Sequence, residues 1–135
     1  MTTLAPCAIE RIDDVPLLLA ELERMEIRPL LDRHFGPHGN WVGLSFGWVV
    51  TLWLAPLLSP GDHCLSHVEP WAMQRREMLR RCTGQAVDRL DLADDPLAVV
   101  RRAFADDGQW EPFEAALTAF PRRHRLLGCT TSTIR

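Results

Sequence analysis

Residues 41–58, from Trp41 to Leu58, are an 18-residue run without a formal charge, and no other feature limits the fold as strongly. Within it, Gly43-Leu44-Ser45-Phe46-Gly47 has the GxxxG spacing found where membrane helices pair. Spanning a bilayer needs ~20 predominantly apolar residues. Here Pro56 sits near the end of the run, Ser59-Pro60-Gly61 stops it, and Ser45, Thr51 and the glycines dilute its apolar character. The run therefore reads as a helix from about Gly43 to Leu57, buried on most sides in a globular core. Trp48, Leu52 and Trp53 should be largely buried, with Gly43 and Gly47 permitting close helix approach.

The remaining pattern is helical too. Asp13-Asp14-Val15-Pro16 has the acidic cap and early proline of a helix start, and Leu18, Leu22 and Met25 follow at i, i+4 and i+7. A short helix is expected over Arg28 to Phe35, and Gly36-Pro37-His38-Gly39-Asn40 is a loop by composition. One continuous helix is expected from about His67 to Cys82, with Trp71, Met78 and Cys82 on one side and Thr83-Gly84 ending it. Asp94-Asp95-Pro96 repeats the start signal ahead of Leu97, Val100 and Phe104. After Asp106-Asp107-Gly108 comes a last helix carrying Trp110, Phe113, Leu117 and Phe120. No alternating apolar-polar run is long enough for a strand. The expectation is an all-α domain, a compact bundle of five or six short helices over residues 1–120, with a divergent tail at 121–135.

The 135 residues suit one domain and are too few for a recognition domain plus a full-sized catalytic domain. At 47% hydrophobic and 24% charged, the chain can bury a core and is not wholesale disordered. Its four cysteines (Cys7, Cys64, Cys82, Cys129) form no CxxC pair, and no secretory signal precedes them, which favours reduced thiols in a cytoplasm. The net charge of −3 excludes a uniformly basic nucleic-acid coat, but the charge is uneven. Residues 1–70 hold four Arg against nine acids, whereas residues 71–135 hold eleven Arg against nine acids. Any polyanion contact should favour the second half.

Three constellations invite chemical readings. His34 with His38, and His63 with His67 near Asp62 and Cys64, have helical spacing for zinc. The first pair straddles a Gly-Pro loop and the second lacks the glutamate of an HExxH motif, so capping or surface histidines are the simpler reading. Asp13-Asp14, Asp94-Asp95 and Asp106-Asp107 lie at helix starts, where unpaired N–H groups favour carboxylates, so caps explain them better than cations do. No phosphate loop, nucleophile elbow or Cys/His catalytic signature is present, and neither a metal nor a cofactor is expected. The third constellation is Arg75, Arg76, Arg80 and Arg81, which on one helix would cover a broad exposed arc, helped by Arg101 and Arg102 on a neighbouring helix. Guanidinium groups grip phosphate oxygens in pairs, making these six the candidate nucleic-acid-binding residues. The bland alternative is a solvated face with Arg76 or Arg81 paired to Glu77.

An ordered set of short motifs adds a family. It comprises Ile9-Glu10-Arg11-Ile12-Asp13-Asp14-Val15-Pro16, Leu31-Asp32-Arg33-His34-Phe35, His38-Gly39-Asn40-Trp41 and Leu44-Ser45-Phe46-Gly47-Trp48. It continues with Gly61-Asp62-His63, His67-Val68-Glu69-Pro70-Trp71 and Cys82-Thr83-Gly84-Gln85. Over about residues 9–118 this resembles the N-terminal domain of unknown function preceding the DDE catalytic core in bacterial insertion-sequence transposases, in particular the IS-sixteen-thirty-four group. The resemblance implies a non-catalytic role in DNA transposition, either binding element ends or assembling transposase subunits. The chain stops before an RNase H-like core, and Pro121 to Arg135 departs from the pattern, as a frameshift or premature stop would produce. No catalytic residue carries over, so the expected product is not an enzyme and takes no small-molecule substrate. The rival reading is a protein-interaction module that dimerises through the tryptophan-rich helix without touching DNA.

Overall fold

The computed structural model describes residues 9–36 and 43–119. Among the described residues seven α-helices follow one another: α1 (Val15–Arg24), α2 (Ile27–His34), α3 (Phe46–Leu58), α4 (Val68–Met73), α5 (Arg76–Thr83), α6 (Asp94–Ala105) and α7 (Asp107–Thr118). Short 3-10 turns at Leu65–His67 and Arg89–Leu92 complete the order, and no strand occurs among the described residues. The all-α class is as the sequence implies, with more and shorter helices than the expected five or six. No helix among the described residues is long and apolar enough to cross a membrane.

The uncharged run forms the centre. α3 packs against α1, α2, α4 and α6, and Leu52, Val49 and Ala55 are almost fully buried. Its start is fixed by α2. Asp32 accepts the Gly47 amide (2.7 Å) and the Ser45 hydroxyl (3.0 Å), while Ser45 Oγ accepts the Trp48 amide (3.3 Å). The two N–H groups are among those that a helix N-terminus leaves without an intrahelical partner. Gly47 lies so close to α2 that a Cβ there would stand 2.4 Å from the Arg28 carbonyl oxygen. The one buried polar side chain among the described residues, Thr51, satisfies its hydroxyl on the Gly47 carbonyl (2.7 Å). Around this seam Phe35 stacks on Phe46 (4.9 Å between centroids) and meets Phe104 and Phe113 edge-on.

Several expectations change in detail. The helix starts at Phe46, because Gly43 adopts a φ of +95° in the lead-in turn, with Asp91 Oδ1 where a Cβ would go. Leu52 is fully buried, but Trp48 and Trp53 are only half-buried at the edge of the core. In α1 the buried positions are Val15 and Leu19, with Leu22 and Met25 flanking them. Gly84 does end α5 in the left-handed conformation (φ +72°), its amide bonded to the Arg80 carbonyl (2.8 Å). Of the aspartate pairs, only Asp106 caps with its side chain, accepting the Gly108 amide (3.0 Å). Asp14 instead accepts the Ser59 hydroxyl, and Asp94 and Asp95 sit exposed in the first turn of α6, where the helix dipole favours them.

The expected helix from His67 to Cys82 is two helices. At the joint the Arg75 amide reaches only the Ala72 carbonyl, and Arg75 leaves the helical region at φ −122°, ψ 19°. The first turn of α5 is completed by a distant carboxylate. Glu10 accepts the amides of Glu77 (3.1 Å) and Met78 (2.9 Å), 67 and 68 residues along the chain. The break turns Met78 and Leu79 into the core and leaves Cys82 exposed rather than on the apolar side. Residues 121–135, and with them the proposed tail, lie outside the described residues, as do Cys7, His38, Phe120 and Cys129.

Candidate nucleic-acid interface

With Met78 and Leu79 inward, α5 presents Arg76, Glu77, Arg80 and Arg81 to solvent. At 3.6 residues per turn these four fall within an arc of about 140°. Glu77 sits among the three arginines and bonds two of them, Arg80 Nε at 3.0 Å and Arg81 Nε at 3.2 Å. The hydrogen bonds from Arg80 first and Arg81 second hold its carboxyl down at about 2. Arg76 makes no ion pair among the described residues. The four side chains carry three cations and one anion, and the Glu10 carboxylate on the first-turn amides lowers the local excess to one positive charge, on a chain that is acidic as a whole.

The other three candidates part from this face. Arg75 is half-buried at the α4–α5 joint. Its guanidinium lies 4.7 Å above the Trp71 ring, and Nη1 donates to the Trp71 carbonyl (3.2 Å). Its Nε is buried without a hydrogen-bond partner. Arg75 therefore braces the joint instead of facing solvent with its neighbours. Arg101 and Arg102 are exposed on α6, but α6 is not a neighbour of α5: it packs on α3, α7 and the two 3-10 turns. Arg102 lines a notch of about 420 Å³ with Val99, Ala103, Asp106 and Gln109. The six arginines separate into an α5 face of three, one structural residue and a pair on α6.

His67 and His34 settle into local roles. Asp62 accepts the Cys64 amide (2.9 Å) and pairs with His67 Nδ1 (2.8 Å), which together hold its carboxyl below the usual carboxylate range. Cys64 Sγ lies 3.1 Å from the Ser66 hydroxyl, and His34 meets Phe113 edge-on at 6.2 Å. No group of three or more His, Cys, Asp or Glu side chains among the described residues could hold a metal ion.

Sequence reasoning offers the pairing of Glu77 with Arg81, and what it misses is Glu10 on the first-turn amides of α5. No local signal marks Glu10 as a cap, because its partners are 67 and 68 residues away. The motifs that carry the family resemblance supply several such ties: Glu10 on α5, Asp32 on α3, Asp62 on His67, and Glu69 on Arg89 (2.9 Å). Comparisons of the chain with protein-family models, with curated proteins and with solved structures gave no match.

Proposed function

We propose that this domain is a non-catalytic, cytoplasmic DNA-contacting module of a transposase, engaging element ends or helping subunits assemble on them. The motif resemblance supports the transposase reading. The observation that carries the DNA reading is the exposed α5 face, where Arg76, Arg80 and Arg81 stand together with Glu77 between them and Glu10 on the first-turn amides. Phosphate oxygens are its natural partners, and such contacts give affinity and salt dependence more than sequence preference.

The interaction-module rival places dimerisation on the tryptophan-rich helix. In this fold α3 packs on four helices with Leu52, Val49 and Ala55 almost fully buried, while Trp48 and Trp53 stay half-buried at the edge and Leu58 is exposed. Fluorescence titration of a labelled short duplex of arbitrary sequence, at low and at moderate salt, tests the proposal. Binding at low salt that weakens as salt rises is expected. No binding at either salt would sink the DNA reading and leave the rival in place.

A further inference from the structure

The segment ahead of α1 is held in an unusual way. Glu10 spans from it to α5 and accepts two first-turn amides, while the side chains around it face solvent: Ile9 is 91% and Ile12 54% exposed. Arg11 pairs only with Asp13 (3.2 Å), and both are exposed. Asp13 itself has a φ of +43°, a left-handed conformation that a non-glycine residue adopts at a cost. Glu10 and Ile12 form one wall of an open groove of about 440 Å³, completed by Pro16, Glu77, Met78, Arg81 and Cys82. Few apolar contacts, solvent-facing side chains and a strained hinge are the marks of a unit that opens while the remainder stays folded.

We infer that residues 9–13 are a strap, latched by the Glu10 carboxylate on α5 and hinged at Asp13, which opens locally and takes away one wall of the α1–α5 groove. The latch consists of two charge-assisted hydrogen bonds, and no side chain of α5's own N-cap residue, Arg75, replaces them. Opening frees the Glu77 and Met78 amides, leaving the first turn of α5 without its cap beside the arginine face. The strap stands whether or not the face binds DNA.

Limited trypsin digestion of the full chain, read by mass spectrometry, tests this through Arg11, the tryptic site inside the strap. In Glu10→Ala, cleavage after Arg11 should rise roughly tenfold, the factor expected on losing hydrogen bonds to a charged acceptor. Cleavage at arginines in α6 and α2 should stay unchanged. Glu10→Gln, which keeps one acceptor oxygen, should fall between. A parallel rise at every arginine, or no rise at Arg11, would overturn the strap. On the unsubstituted chain, hydrogen exchange provides a check that needs no variant to fold. The Glu77 and Met78 amides should exchange faster than those of Leu52 and Val49, and equal protection would overturn the strap as well.

Discussion

Gly47 and Glu77 show how far single positions decide this molecule. At Gly47 any side chain meets the Arg28 carbonyl oxygen, which belongs to backbone and cannot swing aside. Gly47→Ala should therefore destabilise the domain by about 1–3 kcal/mol, the usual cost of forcing extra volume into a packed seam. Urea denaturation measures it, and an unchanged midpoint would mean that α2 and α3 do not approach as closely as described. Glu77 sets a pH dependence. Its folded carboxyl sits at about 2 against an ordinary 4.5, so its contribution to stability is present above pH 4.5 and is lost as the pH falls through 4.5 towards 2. Because the group is exposed, the contribution is small. Acid titration followed by circular dichroism should show that Glu77→Gln removes part of the stability change in that window; identical acid profiles would contradict the bonding to Arg80 and Arg81. The GxxxG spacing made Gly47 legible from sequence. Gly43 was not, because its place is set by Asp91, 48 positions further along.

Among the elements, α3 was the most legible and the α4–α5 pair the least. An uncharged run bounded by Ser45 and by Ser59-Pro60-Gly61 has one economical outcome in water, a central helix. Cap-and-proline signals likewise placed the starts of α1 and α6, and the Leu97, Val100 and Phe104 stripe gave the buried side of α6. The tryptophans misled because their apolar bulk argues for burial, whereas Trp48 lies at the edge with the Arg28 guanidinium 4.6 Å above its ring. Leu52→Ala should consequently cost more than Trp48→Ala. The first is expected to lose about 2–5 kcal/mol and the second less than the ~3–5 kcal/mol of a buried aromatic. Thermal melts of the two variants rank them, and a larger loss for Trp48→Ala would reverse the assignment of centre and edge. The break between α4 and α5 was illegible for a different reason. Local propensity over residues 67–82 favours one helix, and what divides it is the Arg75–Trp71 stack together with a carboxylate from the other end of the fold.

At the scale of the described molecule, α5 gathers three exposed arginines on one helix face. The sequence already located the basic excess in the second half. Its arrangement was not legible, since helical spacing alone put Arg75 with its neighbours and left the distance between α5 and α6 open. The fold turns Arg75 onto Trp71 and sets Arg101 and Arg102 on a helix that does not touch α5. On the proposed function it is the α5 face, and not the arginine content in general, that would bind phosphate. The measurement that tests it most directly is a salt-dependent titration of one short duplex against three variants. Replacing Arg76, Arg80 and Arg81 together by Gln should weaken binding and lower the slope of log K against log salt by up to about 0.9 for each phosphate that is no longer neutralised. Arg101→Gln with Arg102→Gln should change neither by a comparable amount, and Glu77→Gln should strengthen binding by removing the anion in the middle of the face. Unchanged affinity and slope in the triple variant, with helix content intact, would contradict the claim.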